Sequence, residues 1–296
     1  MRNTRRRKKH GCCFIFNIFI LVVFFAAVVL VLRTVGFSFQ VASFIPKISS
    51  DNLLTQCDFG TDSGVSGDTI QALKTMEQDY PKVEQILQNS TQYPARLLQS
   101  LSHNPELLNF TLDYPKKKGT FNRNIDLSDL YQPGQIPLLM QWDENWGYAA
   151  YGSGIIGLDG CGPTCLSMVA IGLTGDTSLT PKAVASFSEN NGFLDVKTNS
   201  TLWTLMSDGA KQLGLNSKEL PLDKNCMLQE LSQGHPIICS LRPGDFTTEG
   251  HFIVLYAYEN NAFLVRDPNS KARSAKTWSY ERLKPQIRNL WAFSAQ

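Results

Sequence analysis

The chain has 296 residues, 43% of them apolar and 18% charged. These are ordinary values for a globular protein, so disorder is excluded as the default and there is length for one or two domains with a real core. The net charge of +2 is unevenly placed. Of the 28 basic residues, seven (Arg2, Arg5, Arg6, Arg7, Lys8, Lys9 and Arg33) precede position 34, where no acid occurs. The other 21 face 26 acids, so residues 34–296 carry a formal −5. That mildly acidic body argues against nucleic acid as a partner.

Residues 1–10 form a basic head. Residues 11–32, GCCFIFNIFILVVFFAAVVLVL, are almost unbroken apolar sequence with Asn17 as the one strongly polar residue. Roughly 20 such residues let a helix cross a bilayer, and a Lys/Arg cluster just before it directs the N-terminus to the cytoplasm. A cleaved signal peptide is the alternative, but its apolar region is usually about 7–15 residues. Val41-Ala42-Ser43 is a poor cleavage site lying well beyond the run. The expectation is a single-pass cell-membrane protein whose C-terminal part is extracytoplasmic. Of the seven cysteines (12, 13, 57, 161, 165, 226 and 239), five then lie in an oxidising compartment. An odd number leaves at least one thiol free or paired between molecules.

Residues 33–67 read as a linker, with Gly60, Ser63, Gly64, Ser66 and Gly67 near its end. Residues 68–119 read as a helical subdomain opened by Asp68 or Thr69. Ile70, Leu73, Met76 and Tyr80 recur at helical spacing. Three further helices are predicted to open on Pro81, Pro94 and Pro105, since proline suits a first helical turn. Lys116 to Gly119 marks a boundary.

From residue 120 the pattern becomes mixed α and β. A buried helix is predicted over 160–172, a second over 181–192 capped by Thr180, a third over 201–213 closed by Gly214, and a fourth over 226–233 closed by Gly234. Strands come next at 236–242, at 251–258 and at 262–267, with Glu259-Asn260-Asn261 as the turn between the last two. The 251–258 strand is nearly all apolar and so buried on both faces. A last helix and strand occupy roughly 278–295.

The chemistry gathers around Gly160-Cys161-Gly162-Pro163-Thr164-Cys165. Flanking glycines let the backbone turn sharply and leave the sulfur uncrowded. A cysteine at a helix N-terminus faces backbone N–H groups that favour the thiolate. Taken alone, the segment equally suits a buried structural cysteine or half of a disulfide. His251 opens the apolar strand and stands one hairpin away from the strand ending in Asp267-Pro268. Hairpin pairing brings that carboxylate near the imidazole, where it can hold one tautomer and stabilise the imidazolium. His10, His103 and His235 lack such a setting. Cys165, Cys226 and Cys239 show no metal-ligand spacing, so no metal and no cofactor are expected. A Cys226–Cys239 disulfide is open.

Gly160-Cys-Gly-Pro-Thr with Leu166 and Met168-Val169, then Gly250-His251-Phe-Ile-Val, then Asp267-Pro268, resembles the C39-like peptidases of the papain-like fold over roughly residues 135–296. The resemblance implies an α+β papain-like domain with an antiparallel sheet over 120–296. It implies Cys161 as nucleophile, His251 as base and Asp267 as the group that orients it. Gln141, in Met140-Gln141-Trp142-Asp143, matches the family's oxyanion glutamine, although it lies twenty residues ahead of Cys161 rather than a few. Gly160 and Gly250 then border the site, and Trp142, Trp146, Tyr148 and Tyr151 are candidates to line a peptide groove, with core packing as the equal alternative. The implied activity is hydrolysis of a peptide or amide bond by a thiol. The alternatives are a catalytically idle peptide- or cell-wall-binding module, or a transpeptidase using the same residues. No nucleotide-binding motif accompanies them.

Overall fold

The computed structural model describes residues 64–296. The basic head, the expected membrane-crossing run 11–32 and most of the linker lie outside the described residues. Among the described residues, no helix is long and apolar enough to cross a membrane.

The first part is four helices: α1 (Gly67–Met76), α2 (Val83–Gln88), α3 (Ala95–His103) and α4 (Leu108–Lys117). Ser66 caps α1, its hydroxyl accepting from Thr69 N at 3.1 Å, with Asp68 in the first turn. The start signal expected of Asp68 or Thr69 therefore belongs to Ser66. The prolines also shift outward. Pro81 precedes the cap of α2 and Pro94 is itself the cap of α3, whereas Pro105 does open a short 3-10 turn before α4. A φ locked near −65° suits the cap position as well as the first turn.

The remainder alternates β1 (Ala150–Tyr151), β2 (Gly154–Ile155), α5 (Ile156–Asp159), α6 (Cys161–Thr174), α7 (Pro181–Asn190), β3 (Leu194–Asp195), β4 (Ser200–Thr201), α8 (Asp208–Gln212), β5 (Leu215–Glu219) and α9 (Lys224–Ser232). It ends with β6 (Ile237–Leu241), β7 (His251–Glu259), β8 (Ala262–Arg266), α10 (Lys271–Ser274), β9 (Thr277–Trp278), α11 (Tyr280–Leu283) and β10 (Ile287–Ala295). Six strands make one antiparallel sheet in the order β5-β10-β6-β7-β8-β9. This α+β architecture with an antiparallel sheet is the fold class expected for this region.

Both faces of the sheet are covered. Ile238, Phe252, Val254 and Phe293 join the core built on α6. Ile237, Cys239, Leu241, Ile253 and Leu255 join a second core with Met227 of α9. The alternation explains why β7 reads as a nearly continuous apolar run. The β7–β8 turn uses Asn260 (φ 50) and Asn261 (φ 63), the left-handed pair that a tight two-residue hairpin requires.

Three elements differ from expectation. Helix α6 runs through Gly172 and stops at Gly175, which has φ 74. Gly172 serves close packing instead: a Cβ there would lie 2.5 Å from the Ile136 side chain and 2.9 Å from Gln135 O. The helix expected over 201–213 is broken into the end of β4, a 3-10 turn at Trp203–Leu205 and α8. Ser207 and Gly209 are weak helix formers at that break. Strand β5 carries no sequence signal, because Asn216-Ser-Lys-Glu219 is a polar edge strand without an apolar stripe.

The four N-terminal helices share a core with residues beyond 119. Leu73, Ile86, Leu97, Leu98, Leu101, Leu107 and Phe110 pack with Tyr148 and Ile155. Tyr148 stacks on Phe110 at 4.2 Å between ring centroids, and its hydroxyl donates to Phe110 O at 3.1 Å.

Candidate active site

Cys161 is the first residue of α6 and is half-buried. Gly160 stands before it because nothing larger fits: a Cβ there would lie 2.6 Å from Ile156 O. The first turn of α6 directs its unpaired N–H groups toward the residue at its start, which favours negative charge there.

His251 begins β7, opposite Leu241 at the end of β6. Val254 faces Arg266 across the β7–β8 pair. Continuing that register by one residue sets Asp267 opposite Ile253, on the face that also carries His251. The two side chains meet, with His251 Nε2 donating to Asp267 Oδ1 at 2.8 Å. His251 is 6% exposed and Asp267 fully buried. Burial works against the charged imidazole, but interactions with the Asp267 carboxylate and with Cys161 outweigh it. Together they raise the imidazole pKa to about 9.

Asp267 is held on all sides. Its Oδ1 also accepts from Asn269 N at 2.8 Å, its Oδ2 accepts from Arg273 Nε, and its own N–H donates to Ser274 Oγ at 2.8 Å. Burial pushes its pKa up, but His251 and Arg273 prevail and leave it below the usual carboxylate range. Arg273 is a site residue that sequence reasoning does not reach. It comes six residues after Asp267 on α10, where nothing in its sequence neighbourhood distinguishes it from a surface arginine.

Cys161 and His251 line a cavity of about 260 Å³ together with Gln141, Gly250 and Arg273. Gln141 is 3% exposed, and its N–H donates to Pro268 O at 2.7 Å, tying it to the segment that carries Asp267. Its side-chain amide donates to Gly157 O (2.9 Å) and Leu158 O (3.3 Å). Its Oε1 is buried without a partner among the described residues. The glutamine is therefore at the cavity, with its donors turned onto the carbonyls that lead into Cys161.

The aromatic groove is corrected. Trp146 and Tyr151 are buried, at 2% and 0% exposure, and belong to the core. Trp146 Nε1 donates to Met140 O at 2.9 Å, and Tyr151 OH bonds to Ser188 and Thr201 at 2.9 Å each. Tyr148 is buried as well, on Phe110. Trp142 is half-buried, with Nε1 donating to Asn269 O at 3.1 Å, and faces a neighbouring groove beside Lys271. A large buried ring with its polar tip satisfied is a packing element. Gly160 supports the cysteine from below, whereas Gly250 does border the cavity.

The rest of the wall carries no motif that marks it in the sequence. Arg96, Gln99, Ser100 and His103 from α3, Asn104 after it, and the β6–β7 loop from Gly244 to Gly250 complete the cavity. Cys161, Cys165, Cys226 and Cys239 are all free thiols. Burial pushes the Cys165 and Cys239 thiols well up. Among the described residues, no group of three or more His, Cys, Asp or Glu is placed to hold a metal ion.

The Peptidase_C39 like family matches residues 134–295. Among curated proteins nothing matches. Solved structures similar to this chain include the peptidase domain of Streptococcus ComA, a bi-functional ABC transporter involved in a quorum sensing pathway. It is 20% identical, with TM-score 0.39, and the match covers 55% of this chain and 100% of that one. A putative C39-like peptidase from Bacillus anthracis is 15% identical, with TM-score 0.32, covering 55% of this chain and 96% of that one. A double glycine motif protease from an AMS/PCAT transporter, solved in complex with its leader peptide, is 13% identical, with TM-score 0.30, covering 55% and 94%. With more than half of its length matched, the chain belongs to the Peptidase_C39 like family.

Proposed function

We propose that the protein is a thiol peptidase or amidase that hydrolyses an amide bond through Cys161, His251 and Asp267. The observation that carries this reading is the buried His251–Asp267 hydrogen bond, 2.8 Å long, whose imidazole lines one cavity with Cys161, the first residue of a helix. His251 has its Nε2 on Asp267, which leaves Nδ1 for the thiol. Proton transfer from Cys161 to Nδ1 produces a thiolate–imidazolium pair, and the thiolate attacks the substrate carbonyl. The Cys161 N–H, with the Gln141 amide once it leaves Leu158 O, stabilises the oxyanion. The imidazolium then protonates the leaving amine, and water releases the acyl group from sulfur with His251 as base.

The substrate is a peptide or peptide-like amide. Residues 11–32 anchor the chain in the membrane and place the hydrolase outside the cytoplasm, a reading that rests on the apolar run after a basic head. Protease added to intact cells then degrades residues 64–296; full protection contradicts this topology.

Iodoacetamide is expected to alkylate Cys161 faster than Cys226 near neutral pH, with His251→Ala removing the excess and Cys161→Ala abolishing turnover of a peptide library. Equal alkylation of the two thiols defeats the activated-nucleophile reading. Analysis of the products separates hydrolysis from transfer to a second amine.

A further inference from the structure

Helix α3 carries Arg96, Gln99, Ser100 and His103 at the 3–4 residue spacing of one helical face. Its other face is Leu97, Leu98 and Leu101, all fully buried. All four polar residues line the cavity that contains Cys161 and His251. They precede residue 134, so they lie outside the segment matched by the family. One wall of the site thus comes from a part of the chain to which family membership assigns nothing. The only large apolar side chains in the lining are Leu158 and Phe246, so the cavity suits a polar occupant.

The charges in the lining sort by wall. Arg273 donates through Nε to Asp267, its Nη2 being buried with no partner among the described residues, and Asp245 is paired with Arg282 and Gln286. Arg96 donates through Nη1 to Asp159 Oδ1 at 2.7 Å, while its side chain remains 53% exposed. Its other guanidinium nitrogens have no partner among the described residues. Asp159 answers part of the Arg96 charge through Oδ1, its Oδ2 is buried with no partner among the described residues, and the remaining guanidinium nitrogens are left to an incoming group. Glu249 is exposed on the β6–β7 loop and lines the same cavity as Arg96. Apart from the His251–Asp267–Arg273 cluster, the cavity therefore presents a cation on α3 and an anion on the β6–β7 loop.

We propose that α3 is a substrate-recognition wall and that Arg96 receives a carboxylate of the peptide whose amide bond Cys161 attacks. Glu249 repels that carboxylate from the other wall, which sets the direction in which the peptide lies. This deepens the thiol-hydrolase reading and rests on it. Arg96 is a specificity-determining residue here and takes no part in bond making.

The test compares two alkylating agents of nearly equal size on the full-length protein: anionic iodoacetate and neutral iodoacetamide. The rate of each at Cys161 is followed by mass spectrometry of the peptide that carries it. The iodoacetate-to-iodoacetamide ratio is expected to fall about fivefold in Arg96→Gln, as loss of one partly screened charge contact implies. Arg96→Lys retains most of the ratio, Glu249→Gln raises it, and added salt shrinks all of these differences. Glu249 is on an exposed loop, so its variant reports even where Arg96→Gln weakens the hold on Asp159. Normal iodoacetamide reactivity with a ratio unmoved by all three substitutions overturns this inference alone. Cys161 reacting with iodoacetamide no faster than Cys226 overturns the hydrolase reading and this inference with it.

Discussion

Asp267 has three donors on its two oxygens, and two of them are cationic groups that compete for it. His251 gains its high basicity from that carboxylate, so anything that frees Asp267 tightens its hold on the imidazolium. The folded pKa of His251 lies above its ordinary 6.5, at about 9. Its contribution to stability is therefore fully present below pH 6.5 and is lost as pH rises through about 9. Asp267 runs the other way: its contribution is present above the ordinary carboxylate value and is lost as pH falls through its lower folded value. Activity that needs the imidazolium is expected to decline above about pH 9. Arg273→Gln removes the rival cation and should move that alkaline limb to higher pH, and Arg273→Lys should return it toward the parent. A rate profile across pH 6–11 checks both, and a limb that stays put rules out Arg273 as a positioning residue. At this scale Cys161, His251 and Asp267 were legible because local pattern carries them: glycines around a thiol, an imidazole at a strand start, a carboxylate before proline. Arg273 and Arg96 were not, since each acts through a partner that only the tertiary fold brings near.

Among the elements, the N-terminal helices grip the site at two places. Arg96 of α3 holds Asp159, two residues before the cysteine. Glu106, just before α4, caps α10: Oε2 accepts from Lys271 N at 2.8 Å, and Oε1 accepts from Ser270 Oγ at 2.5 Å and Ala272 N at 3.2 Å. Asn104 adds a bond from Nδ2 to Asn269 O at 2.6 Å. Helix α10 is too short to persist on its own, so its geometry depends on that carboxylate. Glu106→Ala is expected to cost about 2 kcal/mol, as loss of a charged cap with several donors implies. It should also lower turnover, because Arg273 and the Asp267–Asn269 turn lose their support. A thermal melt alongside a rate measurement detects this, and an unchanged melting temperature contradicts it. Leu97, Leu98 and Leu101 of α3 recur at helical spacing in the sequence, and Arg96, Gln99, Ser100 and His103 lie opposite them. The wall they face was not legible, because an exposed polar stripe is the ordinary look of a solvated helix. The aromatic residues misled for the converse reason. Trp146 and Tyr151 have polar tips that suit a groove, and the fold satisfies those tips inside the core.

For the molecule as a whole, the four helices and the region after residue 119 share a core. Tyr148 and Ile155 from beyond residue 119 are buried in their core. A chain cut to begin at residue 120 would leave both against solvent and remove one wall of the cavity. It is expected to melt at lower temperature and to bind a hydrophobic dye more strongly than the longer chain. Equal melting temperatures would show that the later region is self-sufficient. The sheet order has a consequence for how the chain reaches this state. Strand β10 arrives last among the ten, yet it sits between β5 and β6. Until residues 287–295 are available, two strand edges that end up paired stand open, one of them β6, which is buried along its whole length in the finished fold. Long-range pairing of this kind slows folding and exposes sticky edges on the way. During synthesis the nascent chain thus passes through a stretch in which the thiol, the imidazole and the carboxylate have all been made while the sheet beneath them is incomplete, and in that interval its hazard is aggregation.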